Sequence, residues 1–284
     1  MSFARLLTAA QLANRLADTD LRILDCRFAL DDPAYGRTRY AEGHLPGARF
    51  ADLEEDLSGP VVTGVTGRHP LPDPARLQER LREWGINQDS TLVLYDDGPG
   101  AFAARAWWLL AWLGKRDDVY LLDGGFKAWQ AAGLPVTVQV DDTPRGTFTA
   151  RPDASLVLDA GSLGRRLQDP ALTLIDARAL PRFRGEVEPL DPVAGHIPGA
   201  RCAPFTDNLG ADGHFLPADQ LRLRFERLLD GRRPEQLVAY CGSGVTACHN
   251  LFAMSLAGFA LAPLYAGSWS EWITDAARPV ATGD

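Results

Sequence analysis

The stretch Leu237-Val238-Ala239-Tyr240-Cys241-Gly242-Ser243-Gly244-Val245-Thr246 decides how the rest of the chain is read. Its first residues are a short apolar run of the kind that forms a buried strand, and Ala247 to Met254 have helical composition with little turn chemistry. A cysteine therefore stands at the end of a strand, in a tight loop with two glycines, just ahead of a helix. Such a loop turns backbone N–H groups inward, and the helix N-terminus adds partial positive charge. Both effects favour a thiolate, which makes Cys241 the candidate nucleophile; the competing reading is a buried structural cysteine. The two flanking glycines and the strand–loop–helix setting favour the reactive one.

Working outward from that loop, the same signals occur twice. Arg22-Ile23-Leu24-Asp25-Cys26-Arg27 returns as Thr173-Leu174-Ile175-Asp176-Ala177-Arg178, and Gly43-His44-Leu45-Pro46-Gly47-Ala48 returns as Gly195-His196-Ile197-Pro198-Gly199-Ala200. Leu92-Val93-Leu94-Tyr95-Asp96 aligns with Leu237-Val238-Ala239-Tyr240-Cys241. Leu122-Asp123-Gly124-Gly125-Phe126 with Trp129 aligns with Tyr265-Ala266-Gly267-Ser268-Trp269 with Trp272. Four matches in one order, at nearly one displacement, mark a duplicated domain, because the period is far above that of repeat arrays. Each half alternates strand-like and helical patterns, which predicts an α/β architecture with a mainly parallel sheet flanked by helices on both faces. Pro74 to Trp84 and Ala218 to Leu229 are matching predicted helices, as are Ala101 to Leu113 and Ala247 to Gly258. The polar stretch Val138 to Ser155, with Pro144, Gly146 and Pro152, reads as the linker.

The duplication is informative because it is imperfect. Where the second half has Cys241, the first has Asp96, and an aspartate cannot do thiolate chemistry. One active site per chain is expected, at the carboxyl ends of the strands.

Composition narrows the partners. The chain has 284 residues, 46% of them hydrophobic, with 29 basic against 37 acidic side chains and a net charge of −8. An acidic surface argues against nucleic acid as a partner while permitting a local basic pocket for a small anion. Cys26, Cys202, Cys241 and Cys248 match neither a zinc site nor a disulfide scaffold, and no apolar run reaches spanning length. A cytoplasmic protein that does not engage membrane is expected. Thr8-Ala9-Ala10-Gln11 reads as a capping box opening a short helix.

Taken together, the strand ending in Asp25-Cys26-Arg27, both Gly-His-(Leu/Ile)-Pro-Gly-Ala segments, Leu122-Asp123-Gly124-Gly125 and the loop Cys241 to Thr246 resemble the rhodanese-type sulfurtransferases over nearly the whole chain. The resemblance implies two tandem rhodanese-like domains, an inactive one over 1–138 and a catalytic one over 156–284. It implies transfer of a sulfane sulfur from a small anionic donor, 3-mercaptopyruvate or thiosulfate, through a persulfide on Cys241. The acceptor would be cyanide, a thiol or a thioredoxin-like protein, with no metal and no cofactor. Gly242 and Gly244 would let the backbone approach the persulfide, with Val245 completing the loop, while Ser243 and Thr246 could each donate a hydroxyl. Thr246 has an equal claim as a helix N-cap.

The loop is similar to that of the mercaptopyruvate branch, which lacks the basic loop residue more frequent in thiosulfate users. In that branch a histidine and an acidic residue from the first domain join the serine, and the matching positions here are His69 and Glu54. His69 before Pro70-Leu71-Pro72 is equally readable as an ordinary loop histidine. Arg182 matches the family arginine that binds the donor's anionic group, a task suited to a guanidinium; a surface ion pair is the competing account. The branch usually has a second arginine after an acidic-proline pair, whereas Glu188-Pro189 is followed here by Leu190-Asp191. Two rivals remain: a non-catalytic sulfur-binding or docking module, and a phosphatase with a Cys-x5-Arg loop. The latter is disfavoured because Ala247 stands where the arginine would be.

Overall fold

A computed structural model describes residues 3–284. In the first half the order is β1 (Arg5–Leu7), α1 (Ala9–Ala13), β2 (Leu21–Asp25), α2 (Tyr35–Glu42), β3 (Ala48–Phe50), α3 (Pro74–Glu83), β4 (Thr91–Tyr95), α4 (Ala101–Trp112), β5 (Val119–Leu122) and α5 (Gly125–Ala131). The second half continues with α6 (Ala160–Arg166), β6 (Thr173–Asp176), α7 (Leu180–Phe183), β7 (Ala200–Cys202), α8 (Ala218–Leu229), β8 (Leu237–Tyr240), α9 (Thr246–Leu256) and α10 (Ser268–Trp272). The first sheet runs β1-β5-β4-β2-β3 with every pair parallel. The second runs β7-β6-β8, also parallel, and parallel bridges from Ala239 to Leu264 and from Leu264 to Val157 extend it in the positions that β5 and β1 hold in the first. The two halves therefore share one topology.

The repeated sequence signatures turn out to be structural joints. Arg27 donates to both carboxylate oxygens of Asp25 and to the Gly43 carbonyl at 2.8 Å; Arg178 does the same to Asp176 and to the Gly195 carbonyl at 2.7 Å. The Tyr95 hydroxyl accepts from the Leu45 amide and the Tyr240 hydroxyl from that of Ile197. His44 stacks on Tyr40 at 3.9 Å and His196 on Phe183 at 3.8 Å. Each of these charges lies in the interior, so its partner is obligatory: an uncompensated buried charge costs several kcal/mol. That constraint explains why strand ends in Asp-x-Arg accompany Gly-His-x-Pro-Gly segments in both halves.

What brings the halves together is a pair of helices with no polar face. Nearly every residue of α4 and α9 is buried, as expected when a helix is apolar all round. Trp107 of α4 meets Phe252 of α9 edge-to-face at 5.0 Å and stacks on Phe3 at 5.2 Å. One apolar cluster runs through both halves, so the loops after β4 and β8 open onto the same space. Trp107, Trp108 and Trp112 are thus core and domain interface, with Trp108 and Trp112 stacked at 6.1 Å.

The Thr8 capping box is present, and α8 spans the predicted residues. Two local features differ from expectation. Thr246 is the first residue of α9, not its N-cap; Val245 takes the cap position without a side-chain bond. The 138–155 stretch is polar in composition, yet it is laid along the first half: Phe148 is fully buried, and the Gly146, Phe148, Arg151 and Asp153 amides bond to carbonyls of Arg82, Ile86, Leu113 and Trp112.

Trp107→Ala should lower unfolding stability by about 3–5 kcal/mol, the usual range for deleting a buried aromatic. Urea denaturation monitored by circular dichroism measures this; a loss below about 1 kcal/mol would contradict a shared core.

Candidate active site

The loop after β8 is held from three sides. The Cys241 amide donates to Ser268 Oγ at 3.1 Å, and the Trp269 and Ser270 amides donate to the Cys241 and Gly242 carbonyls, both at 2.9 Å. The Gly244 amide points inward and donates to Cys241 Sγ at 3.2 Å. Gly244 has φ +80°, and a Cβ there would lie 2.3 Å from the Ala266 carbonyl oxygen, so only glycine fits. Ser268 adopts φ +56°, a region unfavourable to a serine, in the position where the first half has Gly125 at +57°. Its hydroxyl is what anchors the cysteine's own backbone.

The first half shows what this kind of loop holds. Asp96 follows β4 as Cys241 follows β8, and the Phe126 and Lys127 amides stitch its loop to α5 just as Trp269 and Ser270 do in the second half. Its carboxylate is buried and accepts from the backbone amides of Gly98 at 3.0 Å, Gly100 at 2.9 Å, Phe102 at 2.9 Å and Ala103 at 3.4 Å. A side-chain carboxyl group thus occupies its own cradle of main-chain donors. Burial still pushes its carboxyl above the ordinary range, against the pull of those four bonds.

Behind the Cys241 loop lies Arg105 of α4, fully buried. Its Nη1 donates to the Gly244 carbonyl at 3.1 Å, and Nη2 to the carbonyls of His69 at 3.2 Å, Leu57 at 3.4 Å and Pro70 at 3.5 Å. Burial lowers its pKa, while the sulfurs of Cys248 and Cys241 favour the charged form. Sequence reasoning missed Arg105: an arginine inside an otherwise apolar helix, Ala101 to Trp112, was the available signal.

Ser243 and His69 are brought together; Glu54 is not. His69 Nδ1 lies 2.7 Å from Ser243 Oγ, and both residues are buried. Glu54 is exposed, its backbone amide held by Asp52, and Phe28 rather than a carboxylate packs on the imidazole, at 6.3 Å edge-on. Position 54 lies in the turn whose amides cap Asp52, which directs its side chain to solvent. Desolvation, then the Arg105 and Arg68 charges, lower the His69 pKa to about 3. His69 is therefore neutral at physiological pH.

Cys241 and Gly242 line a cavity of about 240 Å³ together with Ser243, Val245 and Thr246. Leu30, Phe102 and Phe205 give it apolar walls, and Arg182 and Arg68 supply charge. Arg182 is anchored by Glu188, Nη2 to Oε1 at 2.7 Å and Nε to Oε2 at 3.2 Å. It is thus an ion-paired residue that also faces the cavity. A Cβ on Gly242 would stand 3.6 Å from Arg182 Nη1 and Nη2 and 3.0 Å from Arg68 Nη2. A second guanidinium at the cavity, that of Arg68, comes from the first half; its place beside His69 was the unread signal.

The other thiols are poor nucleophiles. Burial pushes Cys248 up to about 12 and Cys202 up to about 11, and Cys248 Sγ donates to the Gly244 carbonyl at 3.3 Å. Among the described residues no group of side chains is arranged to hold a metal ion.

The rhodanese-like domain model matches twice, over residues 8–132 and 159–275. The chain is 70% identical over its full length to a full-length Pseudomonas aeruginosa protein described as a probable 3-mercaptopyruvate sulfurtransferase. It is 34% identical to the thiosulfate sulfurtransferase of Gallus gallus, covering 95% of this chain and 91% of that one. A crystal structure of the 3-mercaptopyruvate sulfotransferase of Escherichia coli superposes with a TM-score of 0.80 at 33% identity, over 94% of this chain and all of the other.

Two buried histidines set an acid limit. His69 is lowered to about 3 and His249, buried among Asn208, Phe205 and Phe215, to about 4. Unfolded histidine titrates near 6.5, so between these values the unfolded chain binds protons that the folded one does not. Their contribution is fully present above pH ~6.5 and is lost as pH falls, by about 2 kcal/mol per histidine at pH 5. Urea midpoints at pH 7 and 5 should therefore fall with acid, and the fall should shrink in His249→Gln. A midpoint independent of pH would contradict the assignment.

Proposed function

The chain belongs to the rhodanese-like family as a tandem-domain sulfurtransferase, and on that premise we propose that Cys241 carries the sulfur as a persulfide and that 3-mercaptopyruvate is the donor. The Cys241 thiolate attacks the donor's sulfur and an S–S bond forms. The donor's C–S bond breaks, and its electron pair passes into the enolate of pyruvate, which water protonates on carbon; the proton that the donor's sulfur carried passes to water, leaving Cys241–S–S⁻. An acceptor thiolate, or cyanide, then takes the outer sulfur of Cys241–S–S⁻, and the S–S electron pair returns to Cys241. No redox partner or cofactor enters the balance.

The observation that carries the choice of donor is the 2.7 Å contact between His69 Nδ1 and Ser243 Oγ beside the nucleophile. A neutral imidazole that donates through Nδ1–H leaves the serine hydroxyl free to donate to the donor's keto oxygen, where charge gathers as the C–S bond breaks. Thiosulfate leaves as sulfite and develops no enolate, so this pair would be idle with it. Nor does the relay need a carboxylate behind the histidine, because no imidazolium forms; Glu54 then has no part in it. Arg182 and Arg68 hold the donor's carboxylate, and Gly242, Gly244, Val245 and Thr246 shape the seat of the outer sulfur. The similarity to the Pseudomonas aeruginosa protein supports the same donor.

In this reading residues 1–138 form a domain without a nucleophile that lends His69, Arg68 and Arg105, and residues 156–284 do the chemistry. The acceptor is a thiol, cyanide or a thioredoxin-like protein. The four cysteines are unpaired and no helix among the described residues is long and apolar enough to cross a membrane, which suits a cytoplasmic setting.

Cys241→Ser should abolish thiocyanate formation with either donor, while Cys248→Ser retains most of it. Ser243→Ala should lower kcat with mercaptopyruvate by about 10²-fold, the scale for losing one donor to a developing oxyanion, and change thiosulfate turnover little. Equal losses with both donors would refute the relay.

A further inference from the structure

Arg68 and Arg182 come from opposite halves of the chain and converge over Gly242, but they do not meet the cavity alone. Asp191 is wedged between them: Oδ1 pairs with Arg68 Nη1 and Oδ2 lies 3.4 Å from Arg182 Nη2. Its side chain is 3% exposed, so solvent screens its charge poorly. Glu188, equally buried, is shared between Arg182 and Arg178, and Arg178 is itself already matched by Asp176. The two guanidiniums at the cavity are thus faced by two buried carboxylates, and the anion seat is close to electrically neutral. A neutral seat with fixed N–H forks still gives a carboxylate directional hydrogen bonds. What it lacks is the surplus charge that rewards a second negative charge on the ligand.

We propose that Asp191 is the donor-selecting residue, its carboxylate cancelling one guanidinium charge so that the site prefers a monoanionic carboxylate donor to a dianionic one such as thiosulfate. This rests on the reading of Cys241 and its two arginines given above and adds the basis of selectivity. The same ion pair also ties Arg68 to the second half, so a purely structural role predicts that its loss weakens both donors alike. Selectivity predicts that they move apart.

The test is the ratio of kcat/KM for thiosulfate to that for mercaptopyruvate, with cyanide as acceptor, in the full-length protein. Asp191→Asn should raise this ratio about tenfold, on the order expected for unmasking one charge. Asp191→Glu, which keeps the charge, should stay within about twofold of the wild type. A ratio unchanged in a folded Asp191→Asn protein that still takes up cyanide-labile sulfur overturns the inference and leaves the proposed function standing. Should Asp191→Asn not fold, the wild type decides: pyruvate should protect Cys241 from iodoacetamide at lower concentration than sulfate, and equal or better protection by sulfate overturns the inference. If the wild type takes no sulfur from either donor, the reading of Cys241 fails and this inference with it.

Discussion

A single buried guanidinium ties the two halves to the chemistry. Arg105 stands on a helix of the first half, and its hydrogen bonds end on the carbonyl of Gly244, in the loop of the second half, and on that of His69. Its partners among the described residues are carbonyls and, more weakly, two sulfurs; no carboxylate is paired with it. A charge in that position is tolerated only because several dipoles converge on it, and it would be costly to leave without them. Three consequences follow from its place. The loop is pinned from behind at the residue whose amide holds Cys241 Sγ. The nearby imidazole is driven neutral, Arg105 adding to the effect of burial. And a negative sulfur in front of the loop would meet a positive charge that has no other anion.

The imperfect duplication gives the loop its interpretation. In the first half, four main-chain amides close on the carboxylate of Asp96 and the cradle is permanently filled. In the second half the same turn carries a cysteine, short enough that, among the described residues, only the Gly244 amide reaches its sulfur. The persulfide proposed for Cys241 would add one more sulfur atom at the cavity lined by the loop. A turn that in its sister domain holds a carboxylate would suit a persulfide, an anion that comes and goes. This is preorganised electrostatics: donors fixed by strand, glycine and helix start, with no reorganisation needed when charge arrives.

Much of this was legible in the sequence, for definite reasons. The parallel strands, the duplicated topology and the cysteine loop follow from local patterns: apolar runs, paired glycines and four signatures in one order. Cys241, Ser243, His69 and Arg182 were singled out by motif position; the structure places Cys241, Ser243 and Arg182 at one cavity and His69 against Ser243. What local pattern cannot supply is contact across the domain interface. Arg68 and Arg105 reach the site from the first half through tertiary packing alone, and Glu54 is turned away by a capping turn around Asp52. Ser268 was visible only as a letter aligned with Gly125; that its hydroxyl holds the Cys241 amide depends on a positive φ that sequence does not reveal. Phe148 in the polar linker is of the same kind, a single apolar residue whose burial is decided by the surface it crosses.

The most direct measurement is a crystal structure of the protein after treatment with 3-mercaptopyruvate in the absence of an acceptor. The account predicts a second sulfur on Cys241 Sγ, lying about 3.2–3.6 Å from backbone N–H groups of the loop, with pyruvate or an anion at Arg182 and Arg68. Added sulfur on Cys248, Cys26 or Cys202 instead, or an outer sulfur turned from the loop amides onto the apolar wall at Phe102 and Phe205, would contradict it.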